Sequence, residues 1–154
     1  MANRLNKRNQ PLRFDWITVH CSATPPNMNI GVKEIRRWHK QRGWTDIGYH
    51  WVITRNGELQ VGRPMDKMGA HVKGYNRHNI GVCLIGGYNN RLDPQDNFTL
   101  AQRKTLFKFI SELQDKFDIT DDKVLGHNQW NPTKACPVIG LHSHSDPNSM
   151  NAFQ

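Results

Sequence analysis

The residues best suited to chemistry lie between Gly126 and Pro137, in the stretch Gly-His-Asn-Gln-Trp-Asn-Pro-Thr-Lys-Ala-Cys-Pro. This one short loop carries His127, Lys134 and Cys136, and far upstream His20 stands near the end of an apolar run from Phe14 to Cys21. Two neutral imidazoles and a thiolate make three protein ligands for zinc. Three ligands leave the fourth tetrahedral position open for water, which is the arrangement of a catalytic rather than a structural site. Eight histidines in 154 residues also allow other combinations. His142 and His144 would share one face of an extended tail and form such an alternative with Cys136.

Those side chains need elements to hold them. Phe14 to Cys21 alternates as a strand, with Ile17, Val19 and Cys21 on one face and Thr18 and His20 on the other. Cys21 therefore faces the core, and His20, facing away from it, is the expected ligand. A helix fits Val32 to Arg42, with Val32, Ile35, Trp38 and His39 on one side and Gly43 as its stop. Tyr49 to Thr54 and Glu58 to Gly62 read as a hairpin around Asn56-Gly57. Residues 65 to 77 form a long glycine-containing loop, of a length that is often functional. Ile80 to Ile85 is apolar on both faces, the mark of a central strand covered on both sides. Thr99-Leu-Ala-Gln102 is a capping box that opens a helix with Leu106, Ile110, Leu113 and Phe117 on one face. Val124 and Leu125 then lead into the ligand loop. The pattern predicts one α/β domain, a mixed central sheet flanked by helices.

A net charge of +8 points to an anionic partner or surface, whether nucleic acid, a phosphate- and carboxylate-rich envelope, or an acidic protein. The absence of a recognition-helix, zinc-finger or aromatic-glycine motif argues against specific nucleic-acid binding. Three cysteines, an odd number, do not make a disulfide framework. Residues 1 to 13 carry Arg4, Lys7, Arg8 and Arg13 with no acidic residue, and read as a basic, flexible arm ahead of a domain over 14 to 154. The N-terminus has no apolar stretch that would make it a secretory signal, and nothing approaches the roughly 18 apolar residues of a membrane span. The chain is expected to be made as a soluble cytoplasmic protein that something else must release.

Five ordered motifs carry a resemblance over residues 14 to 138. They are Val-His-Cys-Ser-Ala-Thr (19–24), Gly-Trp-Thr-Asp-Ile-Gly-Tyr-His (43–50), Gly-Ala-His-Val-Lys-Gly-Tyr-Asn (69–76), Asn-Ile-Gly-Val-Cys-Leu-Ile-Gly-Gly (79–87) and Lys-Ala-Cys-Pro (134–137). Together they resemble the zinc-dependent N-acetylmuramoyl-L-alanine amidases of short-tailed phages, in the peptidoglycan-recognition-protein superfamily. The resemblance implies one zinc ion held by His20, His127 and Cys136, with Tyr49 and Lys134 as catalytic side chains. It implies hydrolysis of the amide between N-acetylmuramic acid and L-alanine, by an endolysin made in the host cytoplasm that reaches the wall through the inner membrane. Lys134, two residues before a ligand, suits a developing oxyanion, and Tyr49, at the start of a strand beside that of His20, suits a proton donor. His71 is expected at the cleft as a substrate contact or a partner behind a ligand, and Asn76 as a substrate contact.

Two departures from the family pattern are visible. His127 and Cys136 stand nine positions apart rather than eight, because residues 129 to 133 are one longer, and the amphipathic helix that usually follows Cys-Pro is missing. The expected partner is peptidoglycan, with the anionic bacterial envelope as a second surface and a monomer as the working state. Rival readings are a peptidoglycan-binding protein without catalysis, and an amidase that also inhibits a phage RNA polymerase through the basic arm.

Overall fold

The computed structural model describes residues 11–141, and the strands named in them belong to one sheet. They are β1 (Trp16–Cys21), β2 (Trp51–Ile53), β3 (Leu59–Val61), β4 (Asn79–Leu84) and β5 (Val124–Gly126), in the order β3-β2-β4-β1-β5. β4 is the middle strand and every residue in it is buried, as its two apolar faces require. The sheet is mixed: β2 and β3 are antiparallel, while β2 with β4, β4 with β1 and β1 with β5 are parallel.

One sequence expectation is corrected here. The segment led by Tyr49 does not lie beside β1, because β4 pairs with β2 on one side and with β1 on the other. Parallel neighbours need a long crossover. The loop of residues 65–77 supplies one, and it lets the more apolar strand take the centre. The strand itself begins at Trp51 rather than Tyr49.

Helices cover both faces. α2 (Leu100–Phe117) lays Leu106, Phe109, Ile110 and Leu113 against Ile17, Val19, Val82 and Leu84. α1 (Val32–Gln41) lays Val32 and Ile35 against Val52, Cys83 and Ile85 on the other side. The box that opens α2 forms as expected: Thr99 Oγ1 accepts from the Gln102 amide, and Gln102 Oε1 accepts from the Thr99 amide, each at 3.0 Å. Such a cap is worth about 1 kcal/mol. α1 ends one residue earlier than expected, with Arg42 as its cap and Gly43 turning the chain at φ +92°, a left-handed conformation open to glycine.

Register then sets the site. His20 pairs with Cys83 and therefore shares the α1 face of the sheet. Val19 pairs with Gly126 in β5, so the residue after that strand, His127, emerges next to His20. The ligand segment is not all loop: His127–Trp130 makes one helical turn, α3, directly after β5. Leu12, in the last part of the predicted arm, packs against the α2-side core. Residues 1–10 of that arm, and His142 and His144, lie outside the described residues.

Candidate metal centre

His20, His127 and Cys136 each bring a ligand atom to within 4.8 Å of the others. The two Nδ1 atoms of His20 and His127 are 3.2 Å apart. Two nitrogens bonded to one tetrahedral zinc at 2.0–2.1 Å would stand about 3.3 Å apart, so the pair already has metal-ligand spacing.

The hydrogen bonds around His20 decide which of its nitrogens is bare. His71 Nε2 lies 2.9 Å from the Asn79 carbonyl, which can only accept, so that nitrogen carries the proton. His71 Nδ1 is then an acceptor, and His20 Nε2, 2.9 Å away, must donate to it. A neutral His20 with its proton on Nε2 turns an unshared pair on Nδ1 towards His127. Burial, then the neighbouring His71 and His127, hold the His20 pKa well below its ordinary value, so the neutral form is the resting one. Burial followed by the Lys134 charge also lowers the pKa of His127.

Cys136 is carried in by the loop after α3. Asn128 N–H donates to the Cys136 carbonyl at 2.8 Å, and Lys134 N–H donates to the Asn131 carbonyl at 3.0 Å. Thr133 bonds Asn131 Oδ1 through both its amide and its hydroxyl, which folds the segment carrying the extra residue into a tight turn. The Cys21 amide donates to Cys136 Sγ at 2.8 Å. The neighbouring Cys21 thiol, then burial, push the Cys136 thiol well above its ordinary pKa when no cation compensates the charge, against the Cys21 amide, which favours the thiolate.

This donor set fits zinc: two neutral imidazoles with one bare nitrogen directed inward, and a thiol that a cation would deprotonate. Residues 9–139 match the profile of the N-acetylmuramoyl-L-alanine amidase family. The endolysin of Klebsiella phage KP32 is 45% identical over 134 residues, 87% of each chain. The chain belongs to the N-acetylmuramoyl-L-alanine amidase family. Among solved structures, the endolysin amidase LysCS of Clostridium intestinale aligns at a TM-score of 0.69 with 29% identity, over 82% of this chain and 76% of its own. Drosophila peptidoglycan-recognition protein LB aligns at 0.64 with 25% identity, over 95% and 87%.

In this amidase the predicted catalytic pair sits at the centre's rim. The Tyr49 ring lies 5.0 Å from that of His20, centroid to centroid, reaching past β4. The Tyr49 residue is partly exposed while its hydroxyl is enclosed. Burial, then the Cys83, Cys136 and Cys21 thiols, hold that hydroxyl protonated well above its ordinary pKa. Lys134 is exposed, and its charge reaches His127. His71 is buried behind His20, the position of a supporting partner. Asn76 Oδ1 accepts from the amides of His71 and Val72, both at 2.8 Å, and so shapes the loop that delivers His71.

Three features of the amidase were not read from the sequence as parts of the site. His50, 1% exposed, accepts from the Gly81 amide at Nδ1 and bonds the Lys67 carbonyl through Nε2, bracing the same loop. His39 accepts from the Gly48 amide at 2.9 Å and meets the Tyr49 ring at a tilt, centroids 5.5 Å apart, which packs it against that side chain. Gly81 leaves room for the His71 ring: a Cβ there would stand 2.7 Å from His71 Cδ2. Glycine inside an apolar strand was the available signal, since it marks a close approach.

Proposed function

We propose that this endolysin-type amidase works with one zinc ion held by His20, His127 and Cys136, and with Tyr49 and Lys134 acting on the scissile amide. The reaction is hydrolysis of the bond between N-acetylmuramic acid and the L-alanine of the stem peptide, which degrades peptidoglycan and lyses the host. The observation that carries the metal assignment is the 3.2 Å approach of two imidazole nitrogens beside Cys136, with the His20 proton accounted for on its far side.

A bound zinc ion supplies a water whose pKa falls towards about 7 and polarises the scissile carbonyl. The chain's own residues do the rest. His71 keeps the His20 proton away from the metal side. Tyr49, held as a phenol, donates a hydrogen bond to the carbonyl oxygen as it gains charge, or a proton to the leaving amine. Lys134 places a positive charge beside His127, where it stabilises the same oxyanion. Losing one such donor costs about 10²- to 10³-fold in rate.

The domain of this reading spans residues 14–154, behind a basic arm over residues 1–13. Synthesis in the host cytoplasm requires passage through the inner membrane before the enzyme meets its substrate. Among the described residues, no helix is long and apolar enough to cross a membrane. The net charge of +8 favours an anionic envelope surface as a second contact, and a monomer suffices because all three ligands come from one chain.

The test is to incubate the protein with isolated peptidoglycan and assay new N-terminal alanine and new reducing sugar side by side, with and without chelator. New alanine termini that vanish with chelator and return with zinc are expected. New reducing ends would make the protein a glycosidase. Tight wall binding at full zinc loading with neither product would make it a recognition protein.

A further inference from the structure

We infer that Tyr75, backed by Trp130, is a saccharide subsite beside the metal centre, taking on its outer face a pyranose of the glycan strand adjacent to the cleaved muramic acid. The inference rests on the peptidoglycan-amidase reading above. Tyr75 is 56% exposed, an unusual placement for an aromatic ring in a loop otherwise anchored to the core. It lies over Trp130 with ring centroids 4.9 Å apart and planes 30° from parallel, and Trp130 meets Trp16 edge-on at 5.1 Å.

Hydrogen bonds lock this array in place. Trp130 Nε1 donates to Thr18 Oγ1 at 2.9 Å, and Thr18 Oγ1 donates to Asn79 Oδ1 at 2.8 Å. Asn79 Nδ2 in turn donates to the Tyr75 carbonyl at 2.8 Å. The surface is therefore preorganised, which lowers the ordering cost of binding. It also adjoins the reaction centre on three elements at once. Thr18 is two residues before His20 on the same face of β1, about 7 Å along the strand. Trp130 ends the helical turn that His127 begins, and Tyr75 closes the loop that His71 enters. Trp130 also lies in the segment that carries the extra residue.

The chemistry selects the sugar side of the substrate. The axial C–H groups of a pyranose form an apolar, weakly positive face that packs on the electron-rich face of an aromatic ring. A stem peptide bearing carboxylates has no matching surface in a bare ring. The array is anchored at Thr18, two residues along β1 from His20, and Trp130 carries it outwards to Tyr75, which suits the sugar next to the muramic acid, since that residue must itself sit at the metal.

The test compares the zinc-loaded wild type with Tyr75→Ala and Tyr75→Phe on two substrates, a single N-acetylmuramyl peptide and a peptide-bearing tetrasaccharide. Binding of N-acetylglucosamine tetramer is measured separately by tryptophan fluorescence. Tyr75→Ala should raise KM about 3- to 10-fold on the tetrasaccharide, leave kcat/KM on the single-sugar substrate within about twofold, and weaken tetramer binding by a similar factor of about 3- to 10-fold, with Tyr75→Phe close to wild type throughout. Equal losses on both substrates would make Tyr75 a packing residue of the loop and overturn the subsite, as would no loss on either. If the wild type cleaves neither substrate, the amidase reading fails instead, and tetramer binding that depends on Tyr75 still decides the subsite on its own.

Discussion

Replacing Gly81 by alanine tests how the metal centre is built, because the side chain it perturbs is not a ligand. The added Cβ would stand 2.7, 2.8 and 3.0 Å from Cδ2, Cγ and Nδ1 of the His71 ring. Ordinary contact begins about 3.4 Å apart, so the ring must retreat by several tenths of an ångström. Its Nδ1 is the acceptor for His20 Nε2 at 2.9 Å, and that bond lengthens with it. His20 then loses the partner that fixes its proton on the far nitrogen. Loss of such a supporting partner typically costs about 10- to 100-fold in metal affinity, or about 1.4–2.7 kcal/mol. Crowding of the sheet adds about 1–3 kcal/mol of destabilisation. Zinc affinity is read by competition with a chromophoric chelator, and stability by urea unfolding of the metal-free protein. The decisive comparison is the double mutant. If the alanine acts through His71, it should cost almost nothing further in zinc affinity once His71→Ala is present, and a cycle of the four proteins measures that coupling. Wild-type zinc affinity in Gly81→Ala, or an undiminished cost in the His71→Ala background, would refute the argument.

Other outcomes follow from the same geometry. Lys134→Ala should lower kcat about 10²- to 10³-fold while zinc stays bound, and a loss confined to KM would remove Lys134 from oxyanion stabilisation. Zinc binding near pH 7 should release about one proton, because both imidazoles are already neutral and the thiol must ionise. Calorimetry in buffers of different ionisation enthalpy reads this directly, and release of two or more protons would contradict neutral histidines. Acid should destabilise the metal-free fold well before the carboxylates titrate. Burial lowers His39 and His50 to about 4, so the unfolded chain takes up their protons first. Their contribution is complete above pH 6.5 and is lost as pH falls towards 4, at roughly 2–3 kcal/mol per pH unit for the pair. Urea midpoints at pH 7 and 5.5 measure it, and equal midpoints would show that the two imidazoles protonate within the fold.

Local patterns carried most of the architecture. Alternation through Ile17 and Val19 put His20 on the face opposite the α2-side core, and the Asn56-Gly57 turn joined β2 to β3. Thr99 and Gln102 marked where α2 begins. What local pattern does not carry is which strands are neighbours. Tyr49 was expected beside the His20 strand, but the order of a parallel sheet is settled by competition for the buried centre, and β4 won it. The roles of His39 and His50 were hidden for a related reason. Polar residues read as surface until their partners are known, and the partners of His39 and His50 are backbone groups of Gly48, Lys67 and Gly81. The motifs of the amidase family pointed to the proposed ligands and to His71 but not to the rest of this scaffolding, since a backbone carbonyl leaves no signature in side-chain identity.

The order in which the proposed ligands occur along the chain governs when the enzyme can act. His20 precedes His127 by 107 residues, so at roughly 5–20 residues per second the ribosome delivers the first ligand about 5–20 s before the second. Until β5 docks on the outer edge of β1, His127 and Cys136 have no fixed relation to His20, and a nascent chain carries no assembled centre. Translation that stops before Cys136 therefore yields polypeptide without the full proposed ligand set. Activity waits for the last proposed ligand, a useful property in an enzyme whose substrate is the wall of the cell that is still translating it.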